Sequence, residues 1–164
     1  MNRSAKILVC VLLVVCCLCG CAKIDTLTED QTLTFMDLAI TLHGYFEDRL
    51  HKVYTAKDTF MYGVYEITVT GVREGKALFD QVPTLEEYGN LLISGNQLSS
   101  TLQQEEGLTT FTFSLMDGKT SYTHLAAIYE GSESFWLVQI SCKTENFEDS
   151  RESFLTYLKS VTVA

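Results

Sequence analysis

Apolar residues are concentrated in one long run at the start of the chain and in shorter stretches separated by turn residues. Ile7–Leu18 contains 12 residues without a polar side chain. Ser134–Cys142 is a shorter apolar stretch, as expected of a central strand covered on both faces. Gly44–Leu50 predicts a turn or a short helix. Further β-branched and apolar stretches predict strands at about Leu33–Met36, Leu38–Leu42, His51–Tyr54, Thr59–Val64, Glu66–Val72, Thr109–Leu115, Tyr122–Tyr129 and Ser160–Val163.

Two helices are predicted from capping signals and from a helical repeat of apolar residues. Thr84 and Glu87 have the spacing of a capping box, which opens the first helix, and Gly95 is placed at its end. The second helix is predicted at about Asn146–Lys159. Its buried stripe is predicted to consist of Phe147, Phe154, Leu155 and Leu158.

The order of these elements defines a fold class. Strands come first, then a helix, a three-strand meander and a second helix, which predicts an α+β fold with helices packed on an antiparallel sheet. Asp117-Gly118 predicts a type I′ turn between two strands of the meander. The sequence shows no internal repeat and no second domain.

The apolar run at the start of the chain is typical of a secretory signal. Arg3 and Lys6 precede it, and its length is well below the roughly 20 apolar residues of a membrane-spanning helix. Leu18-Cys19-Gly20-Cys21 follows directly, with Leu at −3, a small residue at −2, Gly at −1 and Cys at +1. This tetrapeptide resembles the lipobox of bacterial lipoproteins.

The lipobox resemblance implies a lipid anchor on Cys21. The thiol of Cys21 would carry diacylglycerol, and cleavage between Gly20 and Cys21 would free an α-amine that is commonly acylated. An uncleaved signal anchor or a plain secretory signal is the alternative. The prediction divides the chain into a signal peptide at 1–20, a polar tether at 21–32 and a domain at 33–164.

Charge and cysteine content restrict the possible partners and cofactors. The chain has 12 basic and 21 acidic residues, and removal of Arg3 and Lys6 leaves a net charge of 10 − 21 = −11. Such a body neither favours nucleic acid nor adheres to anionic lipid by itself. Five of the six cysteines lie in residues 1–21, so lipidation of Cys21 leaves Cys142 alone, without a disulfide or a cysteine metal cluster. The 18 aromatic residues, all in the remaining 144 residues, supply one hydrophobic core.

Several short segments, in their order along the chain, resemble the sequence of a known family. The chain resembles small lipoproteins of Gram-positive gut bacteria whose bodies have a PsbP-like fold. This resemblance implies an antiparallel sheet of about six strands flanked by helices over residues 33–164. Other proteins with this fold mostly bind partners, which implies a binding role here by fold analogy. The pieces that carry the resemblance are 38–42 with Phe46, 73–74, 84–88, 117–122, 129–131, 135–142 and 158–161.

A search for catalytic and metal-binding patterns identifies no catalytic residue, cofactor or metal site. His43, His51 and His124 lack metal-ligand spacing, and His124 is interpreted as a hydrogen-bonded histidine of a sheet. Cys142 falls in an apolar strand and is interpreted as a buried, inert thiol. The adjacent carboxylates are interpreted as helix-start or surface residues rather than as a glycosidase pair: Glu86 and Glu87, Glu105 and Glu106, Glu148 and Asp149.

Two remaining features have both a structural and a functional interpretation. Arg49–Lys57 is a basic segment in an acidic protein, which suits either an anionic partner or a solvated strand edge. Aromatic side chains could line a groove, although core packing is the preferred interpretation. These side chains are Tyr54, Tyr62, Tyr65, Tyr122 and Trp136.

The sequence thus predicts a lipid-anchored protein at the extracytoplasmic face of the cell membrane. Its body is expected to be a non-catalytic accessory module that binds an unidentified envelope protein. The alternatives are a small enzyme acting on the envelope and a solute-binding lipoprotein associated with a transporter. A concave pocket containing a titratable group of shifted pKa would favour the enzyme.

Overall fold

The computed structural model describes residues 29–49 and 58–164. Gly20, Cys21, the signal segment and the predicted strand at 51–54 lie outside these ranges. The described part contains ten strands and two α-helices. They are β1 (Gln31–Phe35), β2 (Leu38–Leu42), β3 (Glu47–Asp48), β4 (Thr59–Val64), β5 (Ile67–Gly75), α1 (Leu85–Gly95), β6 (Gln103–Glu105), β7 (Leu108–Asp117), β8 (Thr120–Glu130), β9 (Ser134–Lys143), α2 (Phe147–Lys159) and β10 (Thr162–Val163).

The strands form one large and one small antiparallel sheet. The large sheet has seven strands in the order β3-β4-β5-β9-β8-β7-β6, and the small sheet has the order β1-β2-β10. The predicted α+β class, with an antiparallel sheet and two helices, is confirmed. The strands predicted at 33–36 and 38–42 are confirmed as the antiparallel pair β1 and β2. Their pairing with β10 in a separate sheet was not predicted, because β10 pairs through two residues with a strand more than 100 positions earlier. β1 begins at Gln31, so it takes in the last two residues of the predicted tether.

The apolar strand β9 lies at the centre of the large sheet, as predicted. It pairs with β5 on one side and β8 on the other. Its side chains alternate between two faces. We call one the α2 face, where Trp136, Val138 and Ile140 are fully buried. The opposite surface is the α1 face.

The α2 face carries the larger part of the hydrophobic core. The small sheet contributes Leu38, Ile40 and Leu42 from β2. All four residues of the predicted stripe of α2 are buried, which confirms that interpretation: Phe147, Phe154, Leu155 and Leu158. These apolar contacts hold the small sheet and α2 against the large sheet.

The α1 face carries a second cluster around α1. Tyr88, Leu92 and Ile93 of the helix pack on apolar side chains of three strands. Tyr88 stacks on Phe135 with ring centroids 4.5 Å apart. The strand side chains of this cluster are Phe111, Phe113, Ala126, Ile128 and Phe135.

The start of α1 and its end at Gly95 are both confirmed, although the left-handed residue after the helix is not a glycine. The Thr84 amide donates to Glu87 Oε2 at 2.7 Å, and the Glu87 amide donates to Thr84 Oγ1 at 3.2 Å, which completes the capping box. Gly95 is the last helical residue. The left-handed residue is Gln97 (φ 54°), and the Leu98 amide donates to the Ile93 carbonyl in a Schellman arrangement.

The turn between β7 and β8 differs from the prediction by one position. Asp117 pairs with Thr120, so the two turn residues are Gly118 and Lys119. Gly118 has φ 59°, whereas Lys119 has a negative φ. This matches a type II′ turn with Gly first, and the predicted type I′ turn at Asp117-Gly118 is wrong.

Asp37 connects the small sheet to the large one. It lies in the turn between β1 and β2, and its carboxylate accepts hydrogen bonds from Ser134 Oγ at 2.7 Å, Trp136 Nε1 at 3.0 Å and Arg73 Nε at 3.1 Å. Ser134 and Trp136 are fully buried. Burial raises the pKa of Asp37, but these hydrogen bonds outweigh it and hold the pKa below its usual value.

We expect Asp37→Ala to lower the free energy of unfolding by about 3 kcal/mol, since Trp136 Nε1 and Ser134 Oγ would be buried without their acceptor. Asp37→Asn keeps one acceptor oxygen and should cost less. Urea unfolding of both variants measures the difference. A loss below about 0.5 kcal/mol in Asp37→Ala would show that the junction contributes little.

Candidate functional site

The histidines singled out in the sequence do not converge. His43 follows β2, and its ring stacks on Tyr45 at 4.6 Å. His124 lies on β8 in the large sheet, and His51 is outside the described residues. In residues 29–49 and 58–164, no group of three His, Cys, Asp or Glu side chains is placed to hold a metal ion.

Cys142 is a core residue, as predicted. It is buried on the α2 face, and burial raises the pKa of its thiol.

The adjacent carboxylates are helix-start or surface residues. Glu86 and Glu87 lie in the first turn of α1, and Glu148 and Asp149 in the first turn of α2. The third pair joins the turn between β6 and β7 to α2. Glu105 pairs with Arg151 and Glu106 with Lys159, each at 2.6 Å.

Of the predicted basic segment Arg49–Lys57, the structure describes only Arg49. Both terminal nitrogens of Arg49 donate to the Tyr65 carbonyl, at 3.2 and 3.3 Å. The Arg49 side chain lies over Gly63 on the α1 face, so a Cβ at Gly63 would collide with it.

The aromatic residues singled out in the sequence do not form one groove within the described ranges. Trp136 is fully buried on the α2 face, where Tyr62 also packs against the core. Tyr65 is exposed in the turn between β4 and β5, and Tyr122 lies on β8. Core packing is therefore confirmed for Trp136 and Tyr62, while Tyr54 is outside the described residues.

The α1 face of the central strand is covered less completely than its opposite face. On this face Leu137 and Ser141 remain partly exposed, although β9 has three strands on each side. The opposite face of the same strand is fully buried. The difference arises because α1 packs on β8 and on the Phe135 end of β9, so it does not cover the middle of the sheet.

The α1 face carries a patch of polar side chains on three neighbouring strands. Thr68 of β5, Ser141 of β9 and His124 of β8 lie directly opposite one another in register. Thr70 of β5 lies opposite Gln139 of β9 in the next row. Side chains opposite each other in an antiparallel pair share a face. We call these five residues the polar floor.

One atom of the polar floor is buried without a hydrogen-bond partner. His124 is only 9% exposed, and its Nδ1 atom has no partner. Among the described residues, no polar atom of Thr70, Gln139 or Ser141 is buried in this way. The interpretation of His124 as a sheet residue is confirmed, but its Nδ1 atom lacks the predicted hydrogen bond.

The environment of His124 keeps its ring neutral. The ring stacks on Phe113 with centroids 4.7 Å apart and planes 6° apart. Burial lowers the pKa of His124 from 6.5 to about 4. At neutral pH the polar floor therefore consists of two threonines, a serine, a glutamine and an uncharged histidine.

Charged side chains border the polar floor without belonging to it, among them Lys143, two residues after Ser141 on β9, which pairs with Glu66 at 2.6 Å. Glu74, farther along β5, has a pKa raised by burial and partly lowered by a hydrogen bond from Tyr88. Arg49 lies beyond Thr68, over Gly63. The floor thus offers uncharged donors and acceptors, an arrangement suited to binding.

Sequence reasoning missed the polar floor. Gln139 and Ser141 interrupt the apolar run of β9, and Thr68 and Thr70 share one side of an alternating strand. These two features were the signals of the polar floor that the sequence offered. Each is unremarkable within its own strand, and only the register of β5, β9 and β8 brings them together.

The architecture is similar to that of several solved structures. The solution structure of cyanobacterial PsbP (CyanoP) from Synechocystis has a TM-score of 0.57 at 13% identity, covering 90% of this chain and 99% of that one. The Ran-binding protein Mog1p of Saccharomyces cerevisiae has a TM-score of 0.51 at 8% identity, covering 83% and 96%. A Bacteroides thetaiotaomicron protein has a TM-score of 0.52 at 7% identity, and 78% of this chain matches 45% of that one.

These similarities show that the chain has a PsbP-like fold, as the sequence resemblance implied. No protein-family model and no curated protein matches the sequence.

The neutral state of His124 predicts a pH dependence of stability. Between about pH 6.5 and 4, the unfolded chain binds a proton at this residue and the folded chain does not. The free energy of unfolding should therefore fall as the pH drops, by up to about 3 kcal/mol at pH 4. His124→Gln removes the titrating ring, so this component should disappear.

Urea unfolding of the wild type and His124→Gln at several values between about pH 7 and 4.5 tests this expectation. An equal decrease in both proteins would show that His124 does not cause the dependence.

Proposed function

We propose that this chain is a lipid-anchored binding module on the extracytoplasmic face of a bacterial membrane, without catalysis of its own. The anchor is Cys21, in the sequence Leu18-Cys19-Gly20-Cys21 after the apolar run. Several acyl chains hold a protein stably, whereas one chain gives marginal binding. Confinement near the membrane would raise the effective concentration of the domain for partners there.

The position of β1 limits how far the domain extends from its anchor. β1 begins at Gln31, ten residues after Cys21. A fully extended chain of that length spans at most about 35 Å. The end of the domain at which β1 starts would therefore lie close to the bilayer.

The charge of the domain favours a covalent anchor over electrostatic attachment. In residues 29–49 and 58–164, five of the seven lysine and arginine side chains are paired with carboxylates. The same ranges contain 20 acidic residues. Anionic lipid would repel such a surface. In this part of the chain, no helix is long and apolar enough to cross a bilayer.

The binding half of the proposal is carried by the PsbP-like fold, which this chain shares with CyanoP and Mog1p. Mog1p, named as a Ran-binding protein, supports a binding role by fold analogy. An envelope protein remains the proposed partner.

The anchor is tested by Cys21→Ala in a bacterium that processes lipoproteins. We expect the wild type to fractionate with membranes, with an intact mass that corresponds to a chain starting at Cys21 plus acyl groups. Cys21→Ala should lose the acyl mass and most of the membrane association, because no thiol remains to be alkylated.

Cys19→Ala is the matched control. It replaces a cysteine two residues away by another small residue at −2, so acylation should persist. Membrane association of Cys21→Ala at the wild-type level would contradict the lipid anchor and would identify residues 1–20 as an uncleaved anchor.

A further inference from the structure

We propose that the end of β7 binds an extended, basic segment of a partner protein, which adds a strand to the large sheet. The proposal rests on the binding role proposed above, because it names how the envelope partner binds, and it is independent of the lipid on Cys21. The surface concerned is Ser114–Asp117, the last four residues of β7, which we call the open edge.

β6 covers only the first part of the outer edge of β7. It pairs with residues 108–110. The chain before β6 contacts the same edge once more, where Ser100 Oγ donates to the Thr112 carbonyl at 2.7 Å. Among the described residues, no backbone hydrogen bond joins another segment to this side of β7 beyond Thr112. The outer side of Ser114–Asp117 is therefore free to pair with a further strand.

The register of β7 shows which of its backbone groups face this side. Asp117 and Thr120 close a two-residue turn, so Asp117 and every second residue before it bond to β8. The residues between them point their N–H and C=O groups away from β8. At the open edge these residues are Ser114 and Met116, which together present two donors and two acceptors.

Two contacts earlier in β7 support this assignment. Leu108 belongs to the outward set, and with Glu105 it closes the two-residue turn to β6. Thr112 also belongs to this set, and its carbonyl accepts from Ser100 on the outer side. Both contacts require the same alternation of backbone groups along the strand.

The open edge lacks the features by which proteins commonly protect a free strand. Lysine, proline and β-bulges block pairing at such edges. Ser114–Asp117 contains neither lysine nor proline, and its pairing with β8 continues without a bulge. Met116 is 59% exposed and Leu115 is partly exposed, so an added strand would also cover apolar side chains.

Acidic side chains lie beside the open edge on the α2 face. Ser114 Oγ is 2.9 Å from Thr123 Oγ1, which donates to Thr144 Oγ1 at 2.9 Å. Glu145 follows Thr144 directly, and Glu148 lies in the first turn of α2. Both glutamates are exposed. A basic side chain on the added strand would therefore meet negative charge.

The cations near the open edge do not reverse this preference. Lys119 lies in the turn next to Asp117, and Lys143 is paired with Glu66 at 2.6 Å. In residues 29–49 and 58–164, 20 acidic residues stand against seven lysines and arginines. Such an excess attracts a basic segment and repels a second copy of this chain.

The alternation of side chains predicts the pattern of the partner segment. Residues opposite each other in an antiparallel pair share a face. Partner residues opposite Ser114 and Met116 would face the glutamates of the α2 side. A partner residue opposite Leu115 would lie on the α1 face, where Leu115 packs against the cluster around α1. Basic residues that alternate with apolar ones fit both faces.

The test uses the mature lipoprotein in micelles of a neutral detergent and a seven-residue probe peptide of alternating lysine and valine with blocked ends. Hydrogen exchange of single backbone amides is followed by NMR. We expect the probe, at about ten times its Kd, to slow exchange of the Ser114 and Met116 amides about tenfold. The Phe113 and Leu115 amides bond to β8 and should be protected with or without the probe.

Met116→Pro and its matched control, Met116→Leu, locate the binding. Proline removes the outward N–H without removing a bond to β8, so the Kd should rise at least about fivefold. Leucine keeps the N–H and a similar apolar side chain, so the Kd should stay within about twofold. Thermal unfolding of each variant shows that it is folded.

Glu148→Lys and Glu133→Lys test the charge preference without a change in the backbone. Glu133 is exposed in the turn between β8 and β9, at the opposite end of the strands. Both variants change the net charge equally. Glu148→Lys should raise the Kd about fourfold, and Glu133→Lys less than about 1.5-fold.

Other results would overturn the proposal. Unchanged exchange at Ser114 and Met116 would show that the open edge binds no strand. Slower exchange at Thr32 and Thr34, the outward residues of β1, would place the peptide on the small sheet. Equal binding of a peptide of alternating glutamate and valine would contradict the charge preference. Protection that rises with protein concentration without the probe would identify a second copy as the occupant.

Failure of this site and failure of the anchor are distinguishable. The Cys21→Ala protein, which lacks the lipid, should bind the probe peptide with unchanged Kd. Membrane fractionation reports on the lipid alone, and amide exchange at Ser114 and Met116 reports on the open edge alone.

Discussion

The central strand β9 packs against a different layer on each of its two faces, and most of the structure depends on this constraint. On its α2 face, Trp136 is fully buried, and its indole N–H therefore needs a hydrogen-bond acceptor within the protein. Asp37 supplies that acceptor from the turn between β1 and β2, at 3.0 Å. The hydrogen bonds that Asp37 accepts from Ser134, Trp136 and Arg73 connect the small sheet to the large one, and the apolar side chains of β2 and α2 complete the core around them.

On the other face of β9, the helix that packs on the described sheet is α1. An 11-residue helix is about 16 Å long, and α1 packs over β8 and the Phe135 end of β9. The middle of a seven-stranded sheet thus remains for polar side chains. The two faces therefore differ in composition, because the α2 face is apolar and the α1 face combines the apolar cluster around α1 with the polar floor.

Secondary structure could be predicted wherever a local signal was strong. The capping box at Thr84 and the stripe of α2 act within one or two helical turns, so their residues are neighbours in the sequence. The turn at Gly118 was displaced by one residue, because the pairing of Asp117 with Thr120 depends on the register of two long strands. The pairing of β10 with β2 escaped prediction because β10 has only two residues and β2 lies near the other end of the domain in sequence.

The sequence by itself determined the fold class, the helices and the central strand, since each depends on neighbouring residues or on a local repeat. The anchor at Cys21 is a prediction from the sequence alone. The candidate site was decided only by tertiary structure. Thr70, Gln139 and His124 come from three strands, and the pairing of β5, β9 and β8 places them side by side. Hydrogen bonding across strands depends on which strands pair and in which register. No local pattern in the sequence indicates the pairing or the register.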